Sequence, residues 1–244
     1  MKTLVLIPSR LSATRLPGKP LLKINGLSMI SHVFKKAVEA NIGKVYVATE
    51  NQEIVDDIEK NGGQAILTSN NPKTGTDRVF EALEKIGSSD TKLIMNLQGD
   101  EPLMNIEDII NLHNLMIKTE SEFGTLASQI QNKNLYAKKS VVKVKTKESL
   151  EITKFPEAAD FMRMSNETNK NIYHHLGIYC YKYETLKKFI SLKQSKNELK
   201  NNLEQLRALD NNMKINVSLA KESPLGVDTM EDFVAIKKIM EYKS

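Results

Sequence analysis

Apolar stretches of strand length alternate with amphipathic helical segments along most of this chain. The first such unit has an apolar stretch at 3–8, a segment at 28–40 whose apolar side chains recur at helical spacing, and a second apolar stretch at 44–50. Helix, strand, helix and strand follow over 51–98. This order predicts an α/β protein with a mostly parallel sheet and helices on both faces.

The pattern changes after residue 140. From 140–147 through 150–155, short segments with alternating polar positions predict an antiparallel element set apart from the main sheet. The remaining predicted elements are a strand at 174–182, helices around 186–192 and 201–210, a strand at 214–220 and a last helix at 232–242. We therefore predict a single domain over 1–244 with an inserted antiparallel segment at about 132–172.

Composition narrows the function classes. The net charge of +5 and the pI near 9.0 would permit a nucleic-acid partner, but the lysines are spread along the chain and aromatic residues make up only 6%. A small anionic ligand accounts for the charge equally well. The single cysteine, Cys180, excludes an internal disulfide and a Cys-rich metal site, and its apolar neighbours predict a buried thiol. The first residues form no signal peptide or membrane span, so we expect a cytoplasmic protein.

A basic, turn-rich segment at 9–19 directly follows the first predicted strand. Arg10, Arg15 and Lys19 stand there, with Pro17 and Gly18 between the last two. In open α/β sheets, ligands bind in the crevice outside the carboxyl ends of the strands. The segment therefore predicts a binding site for a polyphosphate such as a nucleoside triphosphate, against the alternative of a solvated basic loop. The phosphate-binding motifs G-x-x-x-x-G-K-[ST] and G-x-G-x-x-G do not occur in the sequence, which argues against a P-loop ATPase and a dinucleotide-dependent enzyme.

Two carboxylates are candidate metal ligands. Asp100 follows the buried strand in NLQGDEP, where it is either a turn residue or a ligand for Mg²⁺. Asp228 precedes Thr229 and Asp232, which have capping-box spacing ahead of the last helix. Asp228 is therefore either the helix cap itself or a second metal ligand that faces Asp100.

Taken together, these motifs resemble the 3-deoxy-manno-octulosonate cytidylyltransferase (CMP-Kdo synthetase) family. The matching pieces are spread over nearly the whole chain: IPSRLSATRLPGKPL at 7–21, TGTDR at 74–78, NLQGDEP at 96–102, HLGIY at 175–179, LEQLR at 203–207 and GVDTMED at 226–232. The resemblance implies a nucleotide-sugar-transferase-like fold whose inserted segment serves dimerisation. It also implies CMP transfer from CTP to the anomeric hydroxyl of Kdo, with release of pyrophosphate and with Mg²⁺, for lipopolysaccharide synthesis by a homodimer.

The resemblance also implies a role for each matching residue. Arg10, Arg15 and Lys19 are expected on the CTP phosphates, with Lys19 closest to the α-phosphate and Arg78 as a further nucleotide contact. Asp100 and Asp228 are the expected Mg²⁺ ligands. The residues expected on the sugar side are Gln98, His175, Glu204 and Gln205.

One segment departs from the family pattern. Where the family carries SR-x-PIPY, this chain has Thr153, Lys154 and Pro156, and Arg163 has no clear counterpart. A cytidylyltransferase for another acid sugar, such as an amino-octulosonate or a nonulosonate, is therefore an alternative. From other classes, an RNA-binding protein is disfavoured because no RNP-type aromatic run is present, and a non-catalytic nucleotide sensor because Lys19 and both aspartates are present.

Overall fold

The structure, a computed structural model, describes residues 2–12, 15–87, 90–165, 171–223 and 225–242. The strands in this part of the chain are β1 Lys2–Ser9, β2 Lys23–Ile24, β3 Leu27–Ser28, β4 Lys44–Thr49, β5 Ala65–Leu67, β6 Thr91–Asn96, β7 Phe123–Ser128, β8 Lys143–Thr146, β9 Ala158–Met162, β10 Ile172–Lys182 and β11 Asn216–Leu219. The helices are α1 Met29–Glu39, α2 Gln52–Lys60, α3 Gly75–Ile86, α4 Ile106–Thr119, α5 Tyr183–Ser191, α6 Lys196–Asn201, α7 Leu206–Asp210 and α8 Met230–Tyr242.

The chain forms two compact units. The first comprises residues 1–106 and 224–244, and the second comprises residues 107–223. The predicted segment at 132–172 lies inside the second unit. The single-domain organisation and the dimerisation role of that segment stay predictions.

The first unit contains a parallel sheet in the order β5-β4-β1-β6. Its central strand β1 is buried from Thr3 to Ile7, because neighbouring strands flank it and helices cover the sheet. Helix α1 is capped by Ser28, whose side chain accepts a hydrogen bond from Ser31 N, and the apolar stripe of the helix packs inward. The expected parallel α/β architecture with flanking helices is confirmed here.

The second unit combines both strand directions. Strand β11 runs parallel to β7, whereas β7 and β8 each pair antiparallel with β10, and β9 pairs antiparallel with β8. An aromatic cluster of Phe123, Tyr179, Tyr181 and Phe189 fills its core. Cys180 is fully buried, as predicted, and burial raises the pKa of its thiol.

Three predictions about elements of the second unit were wrong. The segment 150–155 is a turn, in which the amides of Ile152 and Thr153 donate to Ser149 O; the second strand of the antiparallel element is β9. Strand β8 is not set apart from the main sheet, since it pairs with β10 of that sheet. The helix expected at 201–210 starts only at Leu206, because α6 ends in a left-handed Asn202 (φ 51°) and a turn follows.

No helix in the described part of the chain combines the length and the apolar character that a membrane crossing requires.

Candidate active site

The basic segment after β1 is a loop held at several points. Gly18 adopts a left-handed conformation (φ 72°), which favours glycine, and its amide donates to Leu11 O at 2.9 Å. The amide of Leu11 donates to Asn51 Oδ1 at 2.9 Å. Leu16 is buried in a core cluster with Met29 and Phe233 of the same unit. These contacts fix where Arg10, Arg15 and Lys19 stand.

A cavity of about 340 Å³ lies in the first unit beyond the ends of its parallel strands. It is lined by all of the predicted site residues in this unit: Arg10, Arg15, Lys19, Arg78, Gln98, Asp100 and Asp228. The structure thus brings the basic loop and both aspartates together at this edge of the sheet. The cavity combines an excess of cations with a pair of carboxylates, which is the charge pattern that a metal–polyphosphate ligand requires.

Lys19 joins the two aspartates. Its Nζ lies 2.6 Å from Asp100 Oδ2 and 3.9 Å from Asp228 Oδ1, and it also donates to Val227 O at 2.7 Å. The Lys19 side chain is only 13% exposed, whereas the Asp228 side chain is 45% exposed and lies 2.9 Å from Arg15 Nη2. Both carboxylates therefore face the same ammonium, and Asp228 also faces the guanidinium of Arg15.

The start of α8 shows whether Asp228 is the cap of that helix. Thr229 Oγ1 accepts a hydrogen bond from Asp232 N at 3.2 Å, and Asp232 Oδ2 accepts from Thr229 N at 2.9 Å, so these two residues form the capping box. Asp232 Oδ2 also accepts from Asp228 N at 3.1 Å. The Asp228 carboxylate is consequently not the helix cap and faces the cavity.

Asp100 is positioned by a close approach of two strand ends. A Cβ atom on Gly99 would lie 2.9 Å from Pro8 O, so only glycine allows the backbone after β6 to pack this tightly against the end of β1. Next to Asp100, Glu101 has a buried Oε2 with no hydrogen-bond partner in the described structure. Burial, together with the charge of Asp100, raises the pKa of Glu101 to about 8. At neutral pH the Glu101 carboxyl is therefore mostly protonated.

Arg78 is buried against a carboxylate instead of lying on a helix surface. It is 4% exposed in α3, its Nη2 pairs with Glu50 Oε2, and its Nη1 donates to Thr68 Oγ1 at 2.5 Å. The sequence signal for Arg78 was the TGTDR motif, in which Thr74 and Asp77 form the capping box that starts α3. Glu50 was not identified from the sequence, because no local pattern shows that the end of β4 and α3 meet.

Arg10 and Gln98 complete the cavity wall. Arg10 is exposed and forms no ion pair with any described residue, so its charge remains available to a ligand. Gln98 is half-buried beside Gly99. Its expected contact with the sugar stays a prediction.

His175 lies in the aromatic core of the second unit, on β10. Its ring is 6% exposed and packs edge-to-face on Phe161 at 5.0 Å between centroids. Thr125 Oγ1 lies 3.0 Å from His175 Nε2 and donates its only hydrogen to a backbone carbonyl, so Nε2 is the protonated nitrogen that donates to Thr125. Burial, and then the charge of His174, lowers the pKa of His175 to about 3. The imidazole is neutral and its sugar contact stays a prediction.

Glu204 and Gln205 lie in the turn between α6 and α7 of the second unit. Glu204 is half-buried and 3.9 Å from Arg207, and Gln205 is 5% exposed. Arg163, which sequence comparison left without a counterpart, donates from Nε to Asn201 O and from Nη2 to Asn202 O, both at 2.7 Å. Its guanidinium therefore supports the backbone of that turn.

Comparison with known proteins agrees with this geometry. The family described as cytidylyltransferase matches residues 4–215. A 3-deoxy-manno-octulosonate cytidylyltransferase of Afipia carboxidovorans is 41% identical over 240 residues, covering 98% of this chain and 96% of that protein. The solved structure of CMP:2-keto-3-deoxy-manno-octonic acid synthetase complexed with CTP superposes with a TM-score of 0.89 at 31% identity over the full length of both chains.

The fold extends to more distant proteins. A UDP-glucose pyrophosphorylase complexed with UDP-glucose shares it at a TM-score of 0.74 and 14% identity, again over both full chains. The family match and the close relatives together span nearly the whole sequence. The chain therefore belongs to the cytidylyltransferases, and among them to the 3-deoxy-manno-octulosonate cytidylyltransferase family.

Proposed function

We propose that this chain is the nucleotidyltransferase that transfers CMP from CTP to the anomeric hydroxyl of 3-deoxy-manno-octulosonate (Kdo). The hydroxyl oxygen loses its proton and forms a bond to the α-phosphorus, while the bond from that phosphorus to the bridging oxygen breaks. Pyrophosphate leaves with the electron pair of that bond and carries the proton in the overall balance. The products are CMP-Kdo and pyrophosphate. As the family resemblance implies, CMP-Kdo would then serve lipopolysaccharide synthesis.

The observation that carries the proposal is the meeting of Arg10, Arg15 and Lys19 with Asp100 and Asp228 in one cavity. Phosphoryl-type transfer needs little from a protein beyond positioning and charge stabilisation. In this assignment the arginines hold the phosphate chain and Lys19 lies beside the α-phosphate. Its ammonium stabilises the negative charge that gathers as pyrophosphate departs.

The donor set fits a divalent cation, and we assign Mg²⁺ to it. Asp100 and Asp228 lie within ion-pair distance of the same ammonium, so a cation is already accommodated between them. No cluster of three or more ligand side chains occurs among the described residues, which suits Mg²⁺ because it takes one or two carboxylates together with phosphates and water. When bound, Mg²⁺ would neutralise phosphate charge and lower the pKa of a coordinated hydroxyl.

The remaining assignments follow the resemblance. Gln98, His175, Glu204 and Gln205 are proposed on the sugar side, Arg78 on the nucleotide, and the protein is proposed to act as a homodimer in the cytoplasm. The buried ion pair with Glu50 supports the proposed role of Arg78 as a nucleotide contact. A guanidinium held in place offers its remaining N–H groups in a defined direction.

The test is a pyrophosphate-release assay with CTP and a panel of acid sugars: Kdo, an amino-substituted octulosonate and a nonulosonate. We expect turnover with CTP and Kdo that depends on Mg²⁺. UTP in place of CTP is the matched nucleotide control. Turnover with the nonulosonate and none with Kdo would overturn the sugar assignment, and no release with any sugar would overturn the reaction.

A further inference from the structure

The turn between α6 and α7 is fixed by an ion pair that is almost completely buried. Arg207 donates from Nε to Glu198 Oε2 at 2.9 Å and from Nη2 to Glu198 Oε1 at 2.6 Å. Both side chains are only 4% exposed. The guanidinium also lies 4.8 Å from the ring centroid of Phe189. The geometry is bidentate and stacked, which fixes the guanidinium more strictly than a single contact would.

The carboxylate of Glu198 is saturated by further donors. Gln194 Nε2 donates to Oε1 at 3.1 Å, and Ser195 N donates to Oε2 at 3.1 Å as part of the capping box that starts α6. Removing Arg207 would therefore leave a buried negative charge without its cation. A pair of apolar residues of similar volume would not suffer that cost.

A second arginine holds the same turn from the other side. Arg163, which follows β9, binds the carbonyls of Asn201 and Asn202, where α6 ends. Asn202 is left-handed, and the chain then turns through Glu204 and Gln205 into α7. The turn is thus bracketed by Arg163 at its start and by Arg207 at its end.

Gln205 lies in the turn that Arg163 and Arg207 hold in place. It is only 5% exposed there. It occupies the cap position of α7 without capping the helix through its side chain. Because leaving a buried amide unpaired is unfavourable, the direction in which the Gln205 side chain points decides which partner it can take.

We propose that the Glu198–Arg207 pair is a positioning device that sets the orientation of Gln205 toward the hydroxyl and carboxylate groups of the acid sugar. This inference rests on the proposed function. It adds that sugar recognition depends on two residues that do not themselves touch the sugar.

The test compares Arg207→Met with the double variant Glu198→Met/Arg207→Met in the full chain. KM for Kdo and KM for CTP are measured separately, together with the melting temperature. For Arg207→Met we expect a lower melting temperature and a rise of about tenfold in KM for Kdo, the scale of one lost hydrogen bond, with KM for CTP unchanged. For the double variant we expect recovery of the melting temperature, because the unpaired charge is gone, but a KM for Kdo that stays raised.

Lys147→Met is the matched control, since it breaks an exposed ion pair with Glu157 in the same unit and should leave both KM values unchanged. Recovery of the Kdo KM along with the melting temperature in the double variant would overturn the inference and leave the pair a purely structural role. The double variant still tests the inference if Arg207→Met alone fails to fold. Wild-type protein that does not turn over Kdo would overturn the proposed function, and the inference with it.

Discussion

At the scale of single residues, the site is a set of charges that partly neutralise one another before any ligand arrives. Lys19 forms an ion pair with Asp100, Arg15 with Asp228 and Arg78 with Glu50. The charge of Arg10 has no ion-pair partner among the described residues. Binding a metal–nucleotide complex exchanges these internal ion pairs for new ones with phosphate and metal. The residues most sensitive to substitution should therefore be those whose partner changes in that exchange.

Asp100→Asn and Asp228→Asn should each lower turnover by about 100-fold or more, because each removes one of the two carboxylates proposed to hold Mg²⁺. The apparent Mg²⁺ requirement should shift to higher concentration. Pyrophosphate release measured over a Mg²⁺ titration checks both effects, and an unchanged circular dichroism spectrum serves as the folding control. Near-normal turnover in either variant would contradict the metal assignment.

Lys19→Ala should lower kcat by about 100-fold while changing KM for CTP much less. The ammonium matters most as charge develops on the leaving pyrophosphate, and the arginines still bind the ground-state phosphates. Steady-state kinetics at saturating Kdo separates the two parameters. An effect confined to KM would mean that Lys19 contributes uniform binding only.

Glu50→Gln should raise KM for CTP with little change in kcat, and should lower the free energy of unfolding by roughly 1–3 kcal/mol. The buried guanidinium of Arg78 would keep its position less firmly and would lose a charged partner. Nucleotide titrations and urea denaturation measure the two effects. Unchanged CTP binding despite lower stability would show that Arg78 has no part in nucleotide recognition.

At the scale of elements, the N-terminal ends of two helices position residues of the candidate site. The capping boxes at Thr74 and Thr229 begin α3 and α8, and each sets a site residue nearby, Arg78 one turn into α3 and Asp228 just ahead of α8. Both Thr229 and Asp232 could be predicted from local spacing alone. The turn ahead of α7 could not, because the helical periodicity over 201–210 hides the left-handed Asn202 that interrupts it.

Asp232→Ala should destabilise the protein by about 1 kcal/mol through loss of the cap at the start of α8. It should also weaken the response to Mg²⁺, because the Asp232 carboxylate fixes the backbone amide of Asp228. Thermal unfolding and a Mg²⁺ titration of activity measure these effects. Thr229→Ser, which preserves the capping hydroxyl, is the control and should behave as wild type in both assays.

At the scale of the whole molecule, the half-buried His174 and the buried His175 link stability to pH. The pKa values of His174 and His175 in the folded chain are about 4 and about 3, because burial disfavours their charged forms, and the charge of Lys143 adds to the effect on His174. An unfolded histidine titrates near pH 6.5. Between these values the unfolded chain binds protons that the folded chain does not, so stability is fully present above about pH 6.5 and is lost on acidification.

The free energy of unfolding should therefore fall from pH 7 to pH 4, and His175→Gln should flatten part of that slope. Urea denaturation at a series of pH values is the measurement, and the slope is the readout because the substitution itself also alters packing. Identical slopes in the variant and the wild type would contradict the assignment of His175 as a buried neutral group.

The sequence by itself determined the elements whose signal is local. The alternation of apolar strands and amphipathic helices predicted the parallel sheet of the first unit, and a basic loop after β1 with aspartates after β6 and before α8 predicted a phosphate and metal site. The parallel sheet is confirmed, and the predicted site residues of the first unit lie together because the ends of neighbouring parallel strands meet at one edge of the sheet. Their roles toward phosphate and metal stay predictions.

Only the tertiary structure decided which partner each charged side chain has. The pairs Arg78 with Glu50 and Lys19 with Asp100 join residues far apart in sequence, and no local pattern encodes them. The need for Gly99 likewise appears only where the chain packs against Pro8 O. In 150–155, Leu150 and Phe155 are buried but Ile152 is 85% exposed, so the alternating pattern belongs to a turn and not to a strand. Periodicity reports which side chains are buried, whereas packing across the fold decides what they are buried against.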